Sequence, residues 1–135
     1  MLCGKAGTMK IEHAAMYVRD LEAARAFFMR YFAAEAGARY QNPKTGFQSY
    51  FLTFDDGARL EIMNRPELTG ADQPAERAGY AHIAFSLGSR EAVDRLTAQL
   101  QADGYAVVSA PRVTGDVYYE SCILDAEGNR IELTC

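Results

Sequence analysis

The sequence predicts an α+β domain of two tandem βαβββ modules, whose mixed sheet curls into a cup with the helices outside. Two strand-like runs, Ile11–Val18 and Tyr80–Leu87, each carry one of the chain's two histidines. A helical pattern and several short strand-like runs follow each of them. Each half then closes on a glutamate set between aliphatic residues, in Leu60-Glu61-Ile62 and in Ile131-Glu132-Leu133. A duplicated module that places one His and one Glu per half accounts for all of these features.

The first module begins with a strand predicted over Lys10–Val18. Asp20 suits a helix N-cap, and apolar residues recur at helical spacing through Leu21–Ala36, so we expect a helix there with Gly37 as its C′ residue. The remaining strands of this module are predicted at Ala38–Gln41, Gln48–Phe54 and Arg59–Met63, with turns at 42–46 and at Asp55-Asp56-Gly57.

The second module repeats this order. After the strand Tyr80–Leu87, Ser89 suits the N-cap of a helix that ends at Gly104. Strands are then predicted at Tyr105–Ala110, Val117–Leu124 and Arg130–Thr134, separated by a loop at 113–116 and a turn at 125–129.

The length and the composition shifts set the expected domain limits. A chain of 135 residues is the size of one domain, which we place at residues 9–135. Its modules are residues 9–64 and 79–135, joined by a connector at 65–78 that is rich in Pro, Gly, Asp, Glu and Gln. Residues 1–8 are expected to form a flexible N-terminal lead-in.

Composition excludes several classes of function. The net charge of −4 argues against a nucleic-acid partner, and no apolar run approaches the ~20 residues that span a membrane. The N-terminus lacks the apolar core of a signal peptide. The three cysteines, Cys3, Cys122 and Cys135, are widely spaced, which favours free thiols in the cytoplasm and a buried strand position for Cys122 rather than a nucleophile.

Side-chain alternation along the strands brings the chemistry to one sheet face. His82, Glu61 and Glu132 each alternate with aliphatic neighbours suited to helix packing, whereas the face of His13 is less clean because Ile11 shares it. A strand histidine is usually just hydrogen-bonded, and a glutamate on such a face is usually solvated. The matched positions in a duplicated architecture nevertheless favour a site in which two imidazoles and two carboxylates bind a divalent metal.

The motifs around these residues resemble the vicinal oxygen chelate (glyoxalase/bleomycin resistance/dioxygenase) superfamily, and its glyoxalase I branch most. They are Ile-Glu-His-Ala-Ala-Met-Tyr-Val, Arg-Leu-Glu-Ile-Met, Tyr-Ala-His-Ile-Ala-Phe-Ser and Glu-Gly-Asn-Arg-Ile-Glu-Leu. The resemblance runs from about Met9 to the C-terminus and implies a homodimer with one divalent ion per site (Ni, Zn, Mn, Co or Fe). It implies the ligands His13, Glu61, His82 and Glu132.

The same resemblance implies a lyase or isomerase that binds a small molecule through two adjacent oxygens and stabilises an enediolate, with Glu61 or Glu132 moving the proton. Residues expected to line the cup, or equally to serve as plain packing, are Tyr17, Tyr50, Arg59, Met63, Tyr118 and Glu120. Glyoxalase I has an arginine where this chain has Tyr17 and an asparagine where it has Arg65, and its basic loop is replaced by the acidic run 113–120. The loss of that arginine and of the basic loop argues against a glutathione substrate, because both are basic groups that hold an anion.

Three other functions remain open at this point. An extradiol-type dioxygenase uses two His and one carboxylate on Fe(II), so a fourth protein ligand argues against it. A metal-free binding protein of the bleomycin-resistance type has no need of the ligand set. A metal-dependent thiol transferase acting on an epoxide antibiotic usually has two His and one Glu.

Overall fold

The computed structural model describes residues 9–68 and 78–135. The chain divides into two units, Met1–Thr69 and Gly70–Cys135, and each unit contains one helix and one mixed sheet. The predicted lead-in at 1–8 lies outside the described residues, as do residues 69–77 of the predicted connector.

The first unit follows the predicted order with one additional short strand. Its elements are β1 (Ala14–Tyr17), α1 (Leu21–Phe32), β2 (Glu35–Ala36), β3 (Tyr40–Gln41), β4 (Gln48–Thr53) and β5 (Arg59–Asn64). The sheet order is β1-β5-β4-β2, and β3 also pairs with β4. The β1–β5 pair is parallel, whereas the other pairs are antiparallel.

Helix α1 begins as predicted and ends earlier than predicted. The Asp20 carboxylate accepts a hydrogen bond from the Ala23 amide at 3.0 Å, which caps the first turn. The helix ends at Phe32, and its C-cap residue Ala33 has a left-handed backbone (φ 54°), with the amides of Ala33 and Ala34 donating to the Phe28 carbonyl. The prediction of a helix to Ala36 with Gly37 as C′ is therefore wrong, because an alanine takes the left-handed position that glycine usually fills.

The core of the first unit forms where α1 packs on the sheet. Phe28, Leu52 and Ile62 are fully buried, and each such side chain contributes about 1.5–3 kcal/mol on leaving water. The Asn64 side-chain amide donates to the Val18 carbonyl at 2.6 Å and thereby ties the end of β5 to the segment entering α1. The helix thus covers one face of the sheet.

The second unit has the predicted four strands and one helix. Its elements are β6 (His82–Ser86), α2 (Arg90–Ala102), β7 (Val107–Val113), β8 (Tyr119–Leu124) and β9 (Arg130–Thr134). The sheet order is β6-β9-β8-β7, and only the β6–β9 pair is parallel. The prediction that residue 113 begins a loop is wrong, because β7 continues through Val113.

Helix α2 is defined at both ends by the residues that the sequence indicates. The Ser89 hydroxyl accepts from the Ala92 amide at 3.1 Å, and Gly104 follows the helix with φ +98°. The helix buries Val93 and Leu100 against the sheet. It also buries Thr97, whose hydroxyl lies 2.7 Å from that of Ser121 on β8, so this core contains a satisfied polar contact.

The two strands predicted to carry the histidines are shorter than predicted, and His13 lies one residue before β1. We expected strands over Lys10–Val18 and Tyr80–Leu87, but pairing begins only at Ala14 and His82. Ile11 is 90% exposed and precedes β1, which removes the conflict over its face. No helix among the described residues has the length and apolar character needed to cross a bilayer.

Candidate functional site

The first unit places a histidine beside a glutamate on the sheet face away from α1. Strand β5 buries Leu60 and Ile62, so alternation turns Glu61 to the other face. His13 stands one residue before β1, and its Nε2 atom lies 3.8 Å from Oε1 of Glu61. The Glu61 side chain is 17% exposed and that of His13 is 38% exposed, so solvent reaches both groups.

Three further side chains hold the ring of His13. Its Nδ1 atom lies 3.1 Å from Oε1 of Glu12, and the same carboxylate oxygen accepts a hydrogen bond from Arg59 at 2.8 Å. The Arg59 guanidinium lies 4.0 Å above the Phe51 ring, which also meets the His13 ring edge to face. Only the tautomer protonated at Nδ1 can donate to Glu12, and that tautomer leaves the lone pair of Nε2 directed away from it.

The second unit repeats the pair with a shorter separation. His82 is the first residue of β6, and its Nε2 atom lies 3.3 Å from Oε2 of Glu132 on β9. Strand β9 buries Ile131 and Leu133, so Glu132 takes the opposite face as Glu61 does in β5. The matching positions of the two pairs follow from the duplicated strand order.

The surroundings of the second pair are acidic. Glu120 on β8 interacts with Glu132, and burial, followed by the charge of Glu132 and hydrogen bonding with it, raises the pKa of the Glu120 carboxyl. Cys122 lies opposite Glu132 across the β8–β9 pair. Its thiol is buried, and burial raises its pKa although Arg130 acts in the opposite direction. Two neighbouring carboxylates on one face favour either a bound proton or a cation.

The other predicted lining residues have different placements. Tyr17 and Met63 pair across β1 and β5. The Arg65 guanidinium lies 5.4 Å from the centre of the Tyr17 ring. Tyr118 is 55% exposed in the turn before β8, where its amide donates to the Thr114 hydroxyl. Tyr50 belongs to the opposite face, because its hydroxyl donates to Glu22 of α1 at 2.6 Å, and it is therefore a packing residue, the second of the two roles expected for it.

Sequence reasoning missed Glu12 and Phe51. Phe51 pairs directly with Glu61 across β4 and β5, so the alternation that excludes Tyr50 also identifies Phe51. Glu12 immediately precedes His13, but its carboxylate is also held by Arg59, which is 47 positions away in the sequence and therefore could not be identified as its partner from the sequence.

The separation within each pair is that of an ion pair and also of two ligands of one metal ion. Two donors that bind one ion at ~2.0–2.2 Å lie about 3.0 Å apart at right angles and about 4.2 Å apart on opposite sides. The observed separations of 3.8 and 3.3 Å fall in this interval. Among the residues that the structure describes, no group of three or more His, Cys, Asp or Glu side chains is arranged to hold a metal ion. Each unit offers two donors of the nitrogen and oxygen types that borderline divalent ions accept.

Known proteins share this sequence pattern and this fold. An uncharacterised protein of Bacillus subtilis, YqjT, is 30% identical over 131 residues, which cover 91% of this chain and 96% of that protein. A possible glyoxalase from Bacillus cereus has a similar structure with 26% identity and a TM-score of 0.70, covering 95% of this chain and 100% of that one.

A third likeness shows the fold alone. The fosfomycin resistance protein FosX of Listeria monocytogenes, in complex with Mn(II) and sulfate, is 24% identical with a TM-score of 0.70, covering 95% of this chain and 93% of that one.

A family model described as glyoxalase, bleomycin resistance protein and dioxygenase superfamily matches residues 10–133, which include both His–Glu pairs. With the duplicated strand order and almost its whole length matched, the chain belongs to the glyoxalase/bleomycin resistance protein/dioxygenase superfamily.

Proposed function

We propose that the protein is a divalent-metal-dependent enzyme of the glyoxalase type, a lyase or isomerase acting on a small molecule with two adjacent oxygen atoms. The observation that carries this proposal is the His–Glu pair in each unit, at matching positions and at separations that suit two ligands of one ion. Membership of a superfamily that contains glyoxalases is consistent with it.

The four ligands in this proposal are His13, Glu61, His82 and Glu132. Nickel, zinc, manganese, cobalt and iron all accept this combination of nitrogen and oxygen donors, and a structural relative has been observed with Mn(II). A bound ion of this kind would supply Lewis acidity at the substrate oxygens. The protein is proposed to be a homodimer in the cytoplasm. Each metal site would then combine two His–Glu pairs, either from one chain or one from each of the two chains.

The protein's own side chains provide the proton chemistry. Glu61 and Glu132 are the candidate bases, because a carboxylate on the face of the site can take a proton from one substrate carbon and return it to the neighbouring carbon. Glu12 positions His13 by fixing its tautomer, and Arg59 in turn holds Glu12. Met63, Tyr118 and Glu120 remain candidates for contacts with substrate.

We further propose that the substrate is not a glutathione adduct. The arginine that holds the glutathione carboxylate in glyoxalase I is replaced by Tyr17. The second unit adds the carboxylate of Glu120 beside Glu132, which disfavours an anionic ligand there. Each charge-assisted hydrogen bond lost, at ~1.5–3 kcal/mol, would weaken glutathione binding about 10- to 100-fold.

Elemental analysis of protein purified without added metal tests the proposal. We expect one equivalent of a divalent ion for every two His–Glu pairs. We expect that ion to be lost in Glu61→Ala and in Glu132→Ala. Glu35→Ala, at an exposed position of β2, is the matched control and should retain the ion.

Transfer of solvent deuterium to the substrate carbon then separates catalysis from binding. Within a panel of 2-hydroxyketones and 1,2-dicarbonyl compounds, the substrate should incorporate solvent deuterium with the metal-loaded protein. It should incorporate none with the Glu132→Ala variant. Full metal content in both glutamate variants would refute the ligand assignment. Binding without exchange would instead indicate a small-molecule-binding protein.

A further inference from the structure

The first unit contains a cleft that the metal site does not use. Its volume is about 420 Å³, which is within the ~300–1,000 Å³ range of small-molecule sites. Two turns form its walls, one between β3 and β4 and one directly after β5. The residues that line it are Tyr40, Asn42, Thr45, Phe47, Arg65 and Glu67.

The two turns are fixed against each other. Gly46 has φ +76°, and a Cβ atom at this position would lie 2.7 Å from Cγ of Pro66. Only glycine therefore allows the first turn to approach the second so closely. The first turn is closed by hydrogen bonds from the Asn42 amide to the Phe47 carbonyl and from the Gly46 amide to the Asn42 carbonyl, both 2.8 Å. The cleft is accordingly pre-formed, which lowers the entropic cost of binding.

A single arginine supplies the positive charge of the cleft. The Arg65 guanidinium centre lies 5.4 Å from the Tyr17 ring centre and 5.8 Å from the Phe47 ring centre, so two aromatic rings restrict its position. The side chain is 42% exposed. Its Nη1 atom is 3.7 Å from Oε1 of Glu67, too far for a hydrogen bond. Arg65 can therefore offer η donors to a ligand.

The aromatic walls define the rest of the ligand. The Tyr40 and Phe47 ring centres are 6.1 Å apart and tilted, and Tyr40 is 55% exposed. A flat apolar body can lie against these rings while a carboxylate meets the η edge of the guanidinium, whose planar donors match a carboxylate. We infer that this cleft binds a planar organic anion, an aromatic carboxylate, through Arg65 and the rings of Tyr40 and Phe47.

The position of Arg65 relates the cleft to the substrate. Arg65 directly follows β5 and continues the alternation that places Glu61 and Met63 on one face of that strand. It lies four residues beyond Glu61, or about 13 Å along an extended chain. The cleft could then hold the far end of a substrate whose adjacent oxygens reach the metal, and this step rests on the proposed function. Binding of the anion itself does not depend on it.

Titration with benzoate in the presence of a metal chelator tests the inference separately from the metal site. We expect saturable benzoate binding, followed by the amide chemical shifts of the non-proline residues within 40–47 and 65–67. Arg65→Gln should weaken binding about 10- to 100-fold, the loss of one charge-assisted hydrogen bond. Glu67→Gln should strengthen binding a few-fold, because it removes a neighbouring negative charge.

Matched controls separate a built site from general anion binding. Arg39, which is 45% exposed and 3.6 Å from Glu22, lies outside the lining set, so Arg39→Gln should leave binding unchanged. Acetate lacks the ring and benzamide lacks the charge, so both should bind at least tenfold more weakly than benzoate. Equal binding of acetate and benzoate, or an Arg65→Gln variant that binds benzoate normally, would overturn the inference.

Discussion

The contact between Glu12 and His13 leads to a prediction that needs no knowledge of the substrate. Replacing Glu12 by alanine removes the acceptor 3.1 Å from Nδ1 of His13 and the partner of Arg59. The ring then loses the group that selects the Nδ1–H tautomer. Loss of such an outer partner typically costs 10- to 100-fold in metal affinity, or about 1.4–2.7 kcal/mol.

The structure sets the expected size at the lower end of that interval. The Glu12 side chain is 56% exposed, so water can replace part of its hydrogen bonding and screen its charge. We expect a loss of about tenfold for Glu12→Ala. Glu12→Gln should lose less, because its amide oxygen still accepts from Nδ1.

Two measurements check this prediction. Competition with a chromophoric chelator gives the affinity for Zn²⁺ or Ni²⁺, and ¹⁵N NMR of the metal-free protein gives the tautomer of His13. His82, which follows Ala81 and has no such preceding carboxylate, serves as an internal reference. Unchanged affinity together with an unchanged tautomer in Glu12→Ala would refute the positioning role.

Three further predictions concern stability and reactivity. Thr97→Val should destabilise the protein by about 1–3 kcal/mol in urea, because it leaves the buried Ser121 hydroxyl without its 2.7 Å partner, and the double variant with Ser121→Ala should cost less than the sum of the two single changes. The hydrogen bond to Asp94 raises the pKa of Tyr119, so its stabilisation is complete below the ordinary tyrosine pKa near 10 and is lost as the pH rises through the folded value. The difference in unfolding free energy between the natural protein and Tyr119→Phe should therefore shrink above about pH 10, and a constant difference would contradict this assignment. Burial raises the pKa of the Cys122 thiol, so in a variant with the other cysteines replaced by serine, iodoacetamide should label it at pH 8 only after unfolding, as mass spectrometry can show.

The alternation of side chains explains why much of the fold and of each pair could be predicted. Glu61 and Glu132 sit between buried aliphatic residues, and this arrangement alone turns them away from the helices. The caps at Asp20 and Ser89 were equally predictable, because they satisfy amides that the first helical turn leaves free.

The errors arose where tertiary contacts outweigh local preference. Ala33 adopts a left-handed backbone although Gly37 has the stronger local preference for it, because the chain must enter β2 at Glu35. The sequence leaves Tyr50 open between lining and packing, and its hydroxyl contact with Glu22 on α1 makes it a packing residue. The role of Glu12 depends on Arg59, which is remote in sequence and close only after folding.

The duplication explains where the candidate ligands lie and does not make their surroundings equivalent. Phe51 lies opposite Glu61, whereas Cys122 takes the corresponding place opposite Glu132. Ser49 pairs with Met63 in the first unit, and Glu120 pairs with Thr134 at the matching position of the second. The first pair is therefore neighboured by an arginine–carboxylate contact and an aromatic ring, and the second by an additional acid.

This asymmetry divides the expected effects of mutation between the two units. In the first unit, the neighbours act on the orientation of the imidazole, so substitutions at Glu12 should alter the tautomer of His13. In the second unit, Glu120 places a second carboxylate beside Glu132, so Glu120→Gln should alter the electrostatics of the site while leaving its shape intact. If the two halves had equivalent neighbours, one set of substitutions could not distinguish an effect of imidazole orientation from an effect of charge. The different neighbours of the two pairs allow the two effects to be measured separately.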